Sequence, residues 1–160
     1  NDLDLMLQKY LSNVAKKPVA EIKTAETIPE VEETADTLKH FEKKLLAEIC
    51  PEINLDLAMS HCMDSREFFI EMLQEFFDGN KVAEINKTYA AEDWKNYRIL
   101  VHALKSTSLV IGAEIFSEKA KAQEFAAKDN RLEYLKKNHS EFIISYEKLL
   151  NQIGDWLKEI

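Results

Sequence analysis

The sequence is poor in the residues that form tight turns, since its 160 residues include only three glycines and three prolines. A sandwich or barrel of many short strands needs a turn roughly every 8–12 residues. The scarcity of turn formers therefore excludes such folds and favours helices. Because 46% of the residues are hydrophobic, the chain can bury a sizeable core as one domain without disulfides.

Cysteines and long apolar stretches are also scarce. Cys50 and Cys62 are the only two cysteines, and their spacing fits no metal or redox motif. The chain lacks the run of about 18 apolar residues that a transmembrane helix needs, and its N-terminus lacks a signal-peptide pattern. We therefore expect free thiols, no metal site, no direct membrane insertion and a cytoplasmic location.

Positive charge is in deficit, because 21 Lys and Arg face 29 Asp and Glu, which gives a formal net charge of −8. Binding to a phosphate backbone requires a basic surface. The composition therefore argues against nucleic acid as a partner.

The first 36 residues are expected to contain two segments. Residues 1–17 are predicted to form an amphipathic helix, because their apolar residues recur at helical spacing: Leu3, Met6, Leu7, Tyr10, Leu11 and Val14. Residues 18–36 are rich in Glu and Thr and cannot bury enough apolar surface to offset the entropy of ordering, so we interpret them as a solvated acidic linker. Residues 37–160 are predicted to form the main domain.

Beyond residue 36, apolar residues recur at helical spacing in segments that end at Pro51, Gly112 and Asn130. Gly79 interrupts one such segment, and we expect a kink there because the periodicity continues through Tyr89. The last segment has a seam typical of antiparallel bundles, formed by Leu132, Leu135, His139, Phe142, Tyr146, Leu149, Ile153, Trp156 and Ile160. The sequence thus predicts an all-α fold, an up-and-down four-helix bundle with additional N-terminal helices.

One reactive side chain is predicted to lie outside this core. On the helix expected between Asp93 and Ile111, His102 points away from the apolar face, with Arg98, Lys105 and Ser106 one turn away. The cations would attract an incoming phosphoryl group, and an exposed imidazole is a competent nucleophile for phosphoryl transfer. Helix geometry alone favours an ordinary surface histidine, because most exposed histidines have no catalytic role.

A resemblance to a known family favours the nucleophile. Residues 102–108, followed by Gly112 and Ala113, resemble the signature of histidine-containing phosphotransfer (HPt) domains. Residues 93–98 and 119–124 are similar to the family as well, so the resemblance covers roughly residues 55–150. It implies a four-helix bundle that carries phosphoryl groups on a histidine between the aspartates of response-regulator receiver domains, in a two-component phosphorelay.

The resemblance also implies roles for individual residues. His102 would be the phosphoacceptor, Lys105 would stabilise the phosphoryl group, Glu124 would face the histidine from the following helix in support, and Gly112 would form a structural turn. Helix positions add Arg98 and Ser106 in support, and Ala103 and Leu109 as contacts for the partner. Two departures from the family pattern are visible: Ser106 stands where glycine is common, and Gln123 stands where an aliphatic residue is frequent.

The expected partners are receiver domains, which would supply the catalytic Mg²⁺, while the chain has no cofactor of its own. Without an ATP site it is a phosphocarrier rather than a kinase, and whether it counts as an enzyme stays open. Residues 5–12 weakly resemble the last helix of a receiver domain in hybrid histidine kinases. This resemblance implies that the chain is part of such a kinase, and the parent protein could then be anchored in a membrane. Alternatively, this first helix packs on the bundle or is loose. The alternative functions for the domain are a non-catalytic helical adaptor and a helical metal protein.

Overall fold

The computed structural model describes residues 43–160, which form an all-helical fold without strands, as the composition predicts. Residues 43–49 are helical. The helices that follow are α1 (Leu55–His61), α2 (Arg66–Asp78), α3 (Val82–Ala90), α4 (Trp94–Val110), α5 (Glu114–Lys128) and α6 (Leu132–Glu159). The helix expected in residues 1–17 and the linker expected in residues 18–36 lie outside the described residues.

Polar side chains cap the N-termini of three of these helices: Asn54 at α1, Ser65 at α2 and Asp93 at α4. Ser65 Oγ accepts a hydrogen bond of 3.2 Å from the backbone N–H of Phe68 at the start of α2. Asp93 Oδ1 accepts one of 3.2 Å from the backbone N–H of Asn96 at the start of α4. Each cap satisfies a backbone N–H that has no partner within the helix.

The Ser65 cap gives a direct test of how α2 is stabilised. Ser65→Ala removes the acceptor and should lower the free energy of unfolding by about 1 kcal/mol, measured by urea denaturation. Ser60→Ala is the matched control, because the exposed Ser60 hydroxyl donates to the Leu57 carbonyl within α1 and caps no helix. Equal losses in the two variants would contradict a capping role for Ser65.

The prediction of a kink at Gly79 is wrong, because the helix ends there. Gly79 is the C-cap of α2, and α3 begins three residues later at Val82. Two hydrogen bonds hold the intervening turn: Asn80 Oδ1 accepts from the N–H of Val82 at 2.9 Å, and the N–H of Lys81 donates to the Tyr146 hydroxyl at 3.3 Å.

The buried core takes most of its side chains from α2, α4, α5 and α6, with others from residues 46–62 and from Ile85 of α3. α4 and α5 form the most extensive helix pair, and α5 buries the small side chains of Ala120, Ala126 and Ala127. Short side chains allow two helix backbones to approach closely. Close packing between α4 and α5 matters for function because it brings side chains of α5 beside the exposed face of α4.

The apolar seam predicted for the last helix is buried in α6 from Leu135 to Trp156. Its aromatic side chains stack on Phe116 of α5, with ring centroids 5.4 Å from Phe142 and 5.3 Å from Tyr146. Within residues 43–160, no helix combines the length and apolarity needed to cross a membrane.

Candidate functional site

His102 lies on the outer face of α4. Tyr97, Val101 and Leu104 of the same helix are buried, whereas the His102 side chain keeps 60% of its surface exposed. The helical spacing predicted this separation of an inner apolar face from an outer reactive group, and the structure confirms it.

A carboxylate from the neighbouring helix joins His102 to a lysine. Glu124 of α5 places Oε1 2.7 Å from His102 Nδ1 and Oε2 2.7 Å from Lys105 Nζ. Only 16% of the Glu124 side chain is exposed, and Lys105 keeps 27% of its side chain exposed. The three side chains therefore form one hydrogen-bonded cluster at the α4–α5 seam.

This arrangement determines which ring nitrogen of His102 carries the proton and which keeps its lone pair. An ionised carboxylate only accepts hydrogen bonds, so Nδ1 must carry the proton that it donates to Glu124. In a neutral imidazole the lone pair then resides on Nε2. Nε2 forms no hydrogen bond with any residue from 43 to 160, so its lone pair is unengaged within that part of the chain.

Glu124 stays ionised in this setting. Partial burial by itself would raise the pKa of its carboxyl group, but the hydrogen bonds from Lys105 and His102, with the positive charge of Lys105, lower that pKa below its ordinary value. The carboxylate is therefore a permanent acceptor for His102 Nδ1 near neutral pH.

The other proposed site residues do not join this cluster. Arg98 is exposed and forms no hydrogen bond or ion pair with any residue from 43 to 160. The Ser106 hydroxyl donates to the His102 carbonyl at 3.3 Å and so bonds to its own helix. To the cations and hydroxyls expected around the imidazole from α4 alone, the structure adds the Glu124 carboxylate, which is the group bonded to the ring.

Apolar side chains flank the reactive ring on the same helix. Leu109 is 43% exposed and Ala103 is exposed, and both were expected at a contact surface. Ile99, one turn before His102, is 54% exposed and was missed by the sequence analysis. Its spacing of three residues from His102 is the signal that could have found it.

A groove of about 340 Å³ adjoins this face of α4. It opens between α2 and α4, which contact each other little compared with α4 and α5. Ala103 and Thr107 line it on the α4 side, and most of its surface is apolar: Met72, Phe76, Leu100, Leu104, Val110, Ile111 and Tyr146. Sequence reasoning missed the groove because its width depends on how far apart two helices pack.

The remaining candidates have structural surroundings. Cys62 is fully buried and the adjacent His61 is exposed, so the two side chains point apart. His139, a member of the predicted seam, is buried with 5% of its surface exposed. No group of three His, Cys, Asp or Glu residues within residues 43–160 is arranged to hold a metal ion.

The buried imidazole of His139 predicts a pH dependence of stability. Burial lowers its pKa from the ordinary value of 6.5. The unfolded chain therefore binds a proton at this residue at a higher pH than the folded chain, and the free energy of unfolding should fall as the pH drops below 6.5.

Urea denaturation at a series of pH values measures this effect, and His139→Gln should flatten the profile in that range. The contribution of Glu124 is lost only at lower pH, as the pH falls below its ordinary pKa of 4.5 and through its lowered value. An unchanged slope in His139→Gln would assign the dependence to other groups.

Comparisons of the chain with protein-family models, with curated proteins and with solved structures found no match.

Proposed function

We propose that the chain is a histidine phosphotransfer module that accepts a phosphoryl group on His102 from a receiver-domain aspartate and passes it to another receiver. The observation that carries this proposal is the exposed imidazole with Nδ1 bonded to Glu124 and Nε2 free. The resemblance of residues 102–108 to the HPt signature supports it independently.

The transfer step follows from the proton position. The Nε2 lone pair of His102 attacks the phosphorus of the partner's aspartyl phosphate, the P–O bond to the aspartate breaks, and the aspartate leaves as a carboxylate. The imidazole ring gains positive charge as the N–P bond forms, and Glu124, which accepts from Nδ1, stabilises that charge. Reversal of the same step delivers the phosphoryl group to a second receiver.

Lys105 balances the negative charges that meet in this step. Its ammonium group donates to Glu124 Oε2 at 2.7 Å while part of its side chain stays exposed. It lies one turn from His102, within reach of a phosphoryl group on Nε2. Arg98, on the preceding turn, adds longer-range attraction for the phosphoryl group, and the small Ser106 side chain leaves room for the partner.

The partner's contact surface is proposed to centre on the exposed face of α4. Ala103, Leu109 and Ile99 offer apolar contact around His102, and the groove beside Ala103 extends this surface toward α2. The receiver domain brings the Mg²⁺ and the carboxylates that hold it, so this chain contributes the nucleophile and the charge stabilisation.

The architecture proposed for this function is the up-and-down four-helix bundle. α2, α4, α5 and α6 would be its long helices, with residues 37–160 as the domain and the remaining helices as additions. A cytoplasmic domain within a hybrid histidine kinase would place His102 where receivers of its own chain and of other proteins can reach it.

Phosphoryl transfer from a receiver tests the proposal directly. A panel of purified receiver domains is phosphorylated with radiolabelled acetyl phosphate and incubated with the 160-residue chain. Label should leave at least one receiver and appear on the chain as a phosphoramidate, which acid hydrolyses and alkali does not. A chain that binds receivers without taking up label would support the non-catalytic adaptor instead.

A further inference from the structure

Three buried polar side chains, Tyr97, Gln123 and His139, form a network with the exposed Asn86. The Tyr97 hydroxyl on α4 lies 3.1 Å from Gln123 Oε1 on α5 and 3.2 Å from His139 Nδ1 on α6. His139 Nε2 lies 2.9 Å from Asn86 Oδ1 on α3. The Tyr89 ring stacks on His139 with centroids 3.6 Å apart. The network thus joins α4 and α5 to α6 and α3.

Gln123 is the unusual member of this network. It is buried, with 2% of its surface exposed, on a face of α5 that also buries Phe116 and the small side chains of Ala120 and Ala126. A buried amide without a partner is costly, and packing between small side chains has no preferred direction of its own. The Tyr97–Gln123 hydrogen bond therefore favours one rotation and one register of α5 against α4.

The next residue in the chain is Glu124. Gln123 points into the interior and Glu124 reaches His102 and Lys105 at the surface, so one turn of α5 is attached to α4 on two sides. Rotation of α5 about its axis would break both attachments together.

We infer that Tyr97 and Gln123 are positioning residues that hold the Glu124 carboxylate against Nδ1 of His102. The inference of a role in phosphoryl transfer rests on the proposed function, whereas the effect on the His102 ring does not. The buried contact holds the backbone of α5, which the exposed His102 and the long Lys105 side chain cannot fix alone, because both retain conformational freedom at the surface.

His139 keeps Tyr97 in place for this purpose. The Tyr97 hydroxyl donates its one proton to Gln123 Oε1, an amide oxygen that only accepts, and so accepts from Nδ1 of His139. Burial raises the pKa of the Tyr97 hydroxyl, which therefore stays protonated at physiological pH. Removing the hydroxyl leaves both Gln123 and His139 without their buried partner.

The closing experiment observes the His102 ring in the full chain. The four histidines are labelled with ¹⁵N, and the ring signals of His102 are assigned by their absence in His102→Gln. In the native chain the ¹⁵N shifts should show the proton on Nδ1. In Tyr97→Phe they should move toward the tautomer mixture of a free imidazole, and phosphoryl uptake from a receiver should slow about tenfold.

Tyr146→Phe is the matched control, because Tyr146 is also a buried tyrosine whose hydroxyl forms a hydrogen bond, in its case with the N–H of Lys81. It should leave the His102 signals unchanged even where it lowers the melting temperature. If the Tyr97 hydroxyl contributed only to stability, both variants would be less stable and neither would change the His102 tautomer.

Gln123→Met provides a second variant that conserves volume and leaves the Tyr97–His139 contact intact, so it decides the question even if Tyr97→Phe does not fold. Its His102 signals should shift in the same direction. Native His102 signals in folded Gln123→Met would overturn the inference. If the two variants show the tautomer shifts but the native chain takes up no phosphoryl group, the positioning role is retained and the proposed function is refuted.

Discussion

Replacement of His102 by glutamine should abolish phosphoryl uptake and change the free energy of unfolding by less than about 0.5 kcal/mol. The loss is expected to be complete because an amide has no nucleophilic nitrogen lone pair. Stability should survive because the His102 side chain is 60% exposed, and a glutamine amide can still donate to Glu124. Radiolabel transfer measures the first effect and urea denaturation the second.

His61→Gln is the matched control for this prediction. His61 is also exposed, but it lies on α1, where its Nδ1 is 3.4 Å from the Val110 carbonyl and no carboxylate among residues 43–160 holds the ring. The control should take up label at the native rate. Full labelling of His102→Gln would place the phosphoryl group elsewhere, and loss of folding in His102→Gln would contradict the exposed position of the ring.

A chemical donor separates the reactivity of His102 from recognition by a partner. Phosphoramidate transfers its phosphoryl group to an imidazole nitrogen with release of ammonia, and it needs no docking surface. We expect it to label His102 faster than His61, because Glu124 leaves Nε2 of His102 as the free nitrogen. Equal rates at the two histidines would show that the carboxylate adds nothing to the nucleophile.

The faces of the helices could be predicted because helical periodicity is a local property. The spacing of Val101, Leu104 and Ser108 defines the inner face of α4 without knowledge of any other helix, and all three are buried. The outward direction of His102 follows from the same pattern. Ser65 and Asp93 could be recognised as caps because a cap depends on the next three residues alone.

Features that depend on contacts between distant residues could not be predicted in this way. α2 ends at Gly79 instead of bending, and the turn after it is held by Tyr146, which is 65 residues from Lys81 in the sequence. The pairing of Tyr97 with Gln123 likewise needs the register of α5 on α4. The HPt resemblance indicated that Glu124 faces His102, but the shared bond to Lys105 emerges only from the folded seam.

A substitution in the turn between α4 and α5 is expected to have the second large effect, in this case on stability. Gly112 has a φ of +81°, a left-handed conformation that L-residues adopt at a cost of about 1–2 kcal/mol. Its carbonyl accepts from the N–H of Asn54 at 2.9 Å, which ties this turn to the start of α1. A Cβ atom at Gly112 would overlap the backbone carbonyl oxygen of Asn54 and would meet the Ala58 side chain at 3.1 Å.

Gly112→Ala should therefore destabilise the fold by about 3 kcal/mol or more, since backbone strain and a clash with backbone atoms add together. Gly154→Ala is the contrasting control. Gly154 lies within α6, where alanine is the better helix former by about 1 kcal/mol. A Cβ there would meet Phe77, whose partly exposed ring can move aside, so its melting temperature should change little.

The position of this turn connects its stability to the proposed chemistry. Gly112 lies between the helix that carries His102 and the helix that carries Glu124, so a distorted turn displaces the start of α5 relative to α4. In the fraction of Gly112→Ala that still folds, the His102–Glu124 hydrogen bond should be weaker. The ¹⁵N spectra should then show less of the signal from Nδ1-protonated His102. Native stability together with a native His102 signal would show that the turn can relax around a side chain, and that the left-handed glycine is not what sets the α4–α5 register.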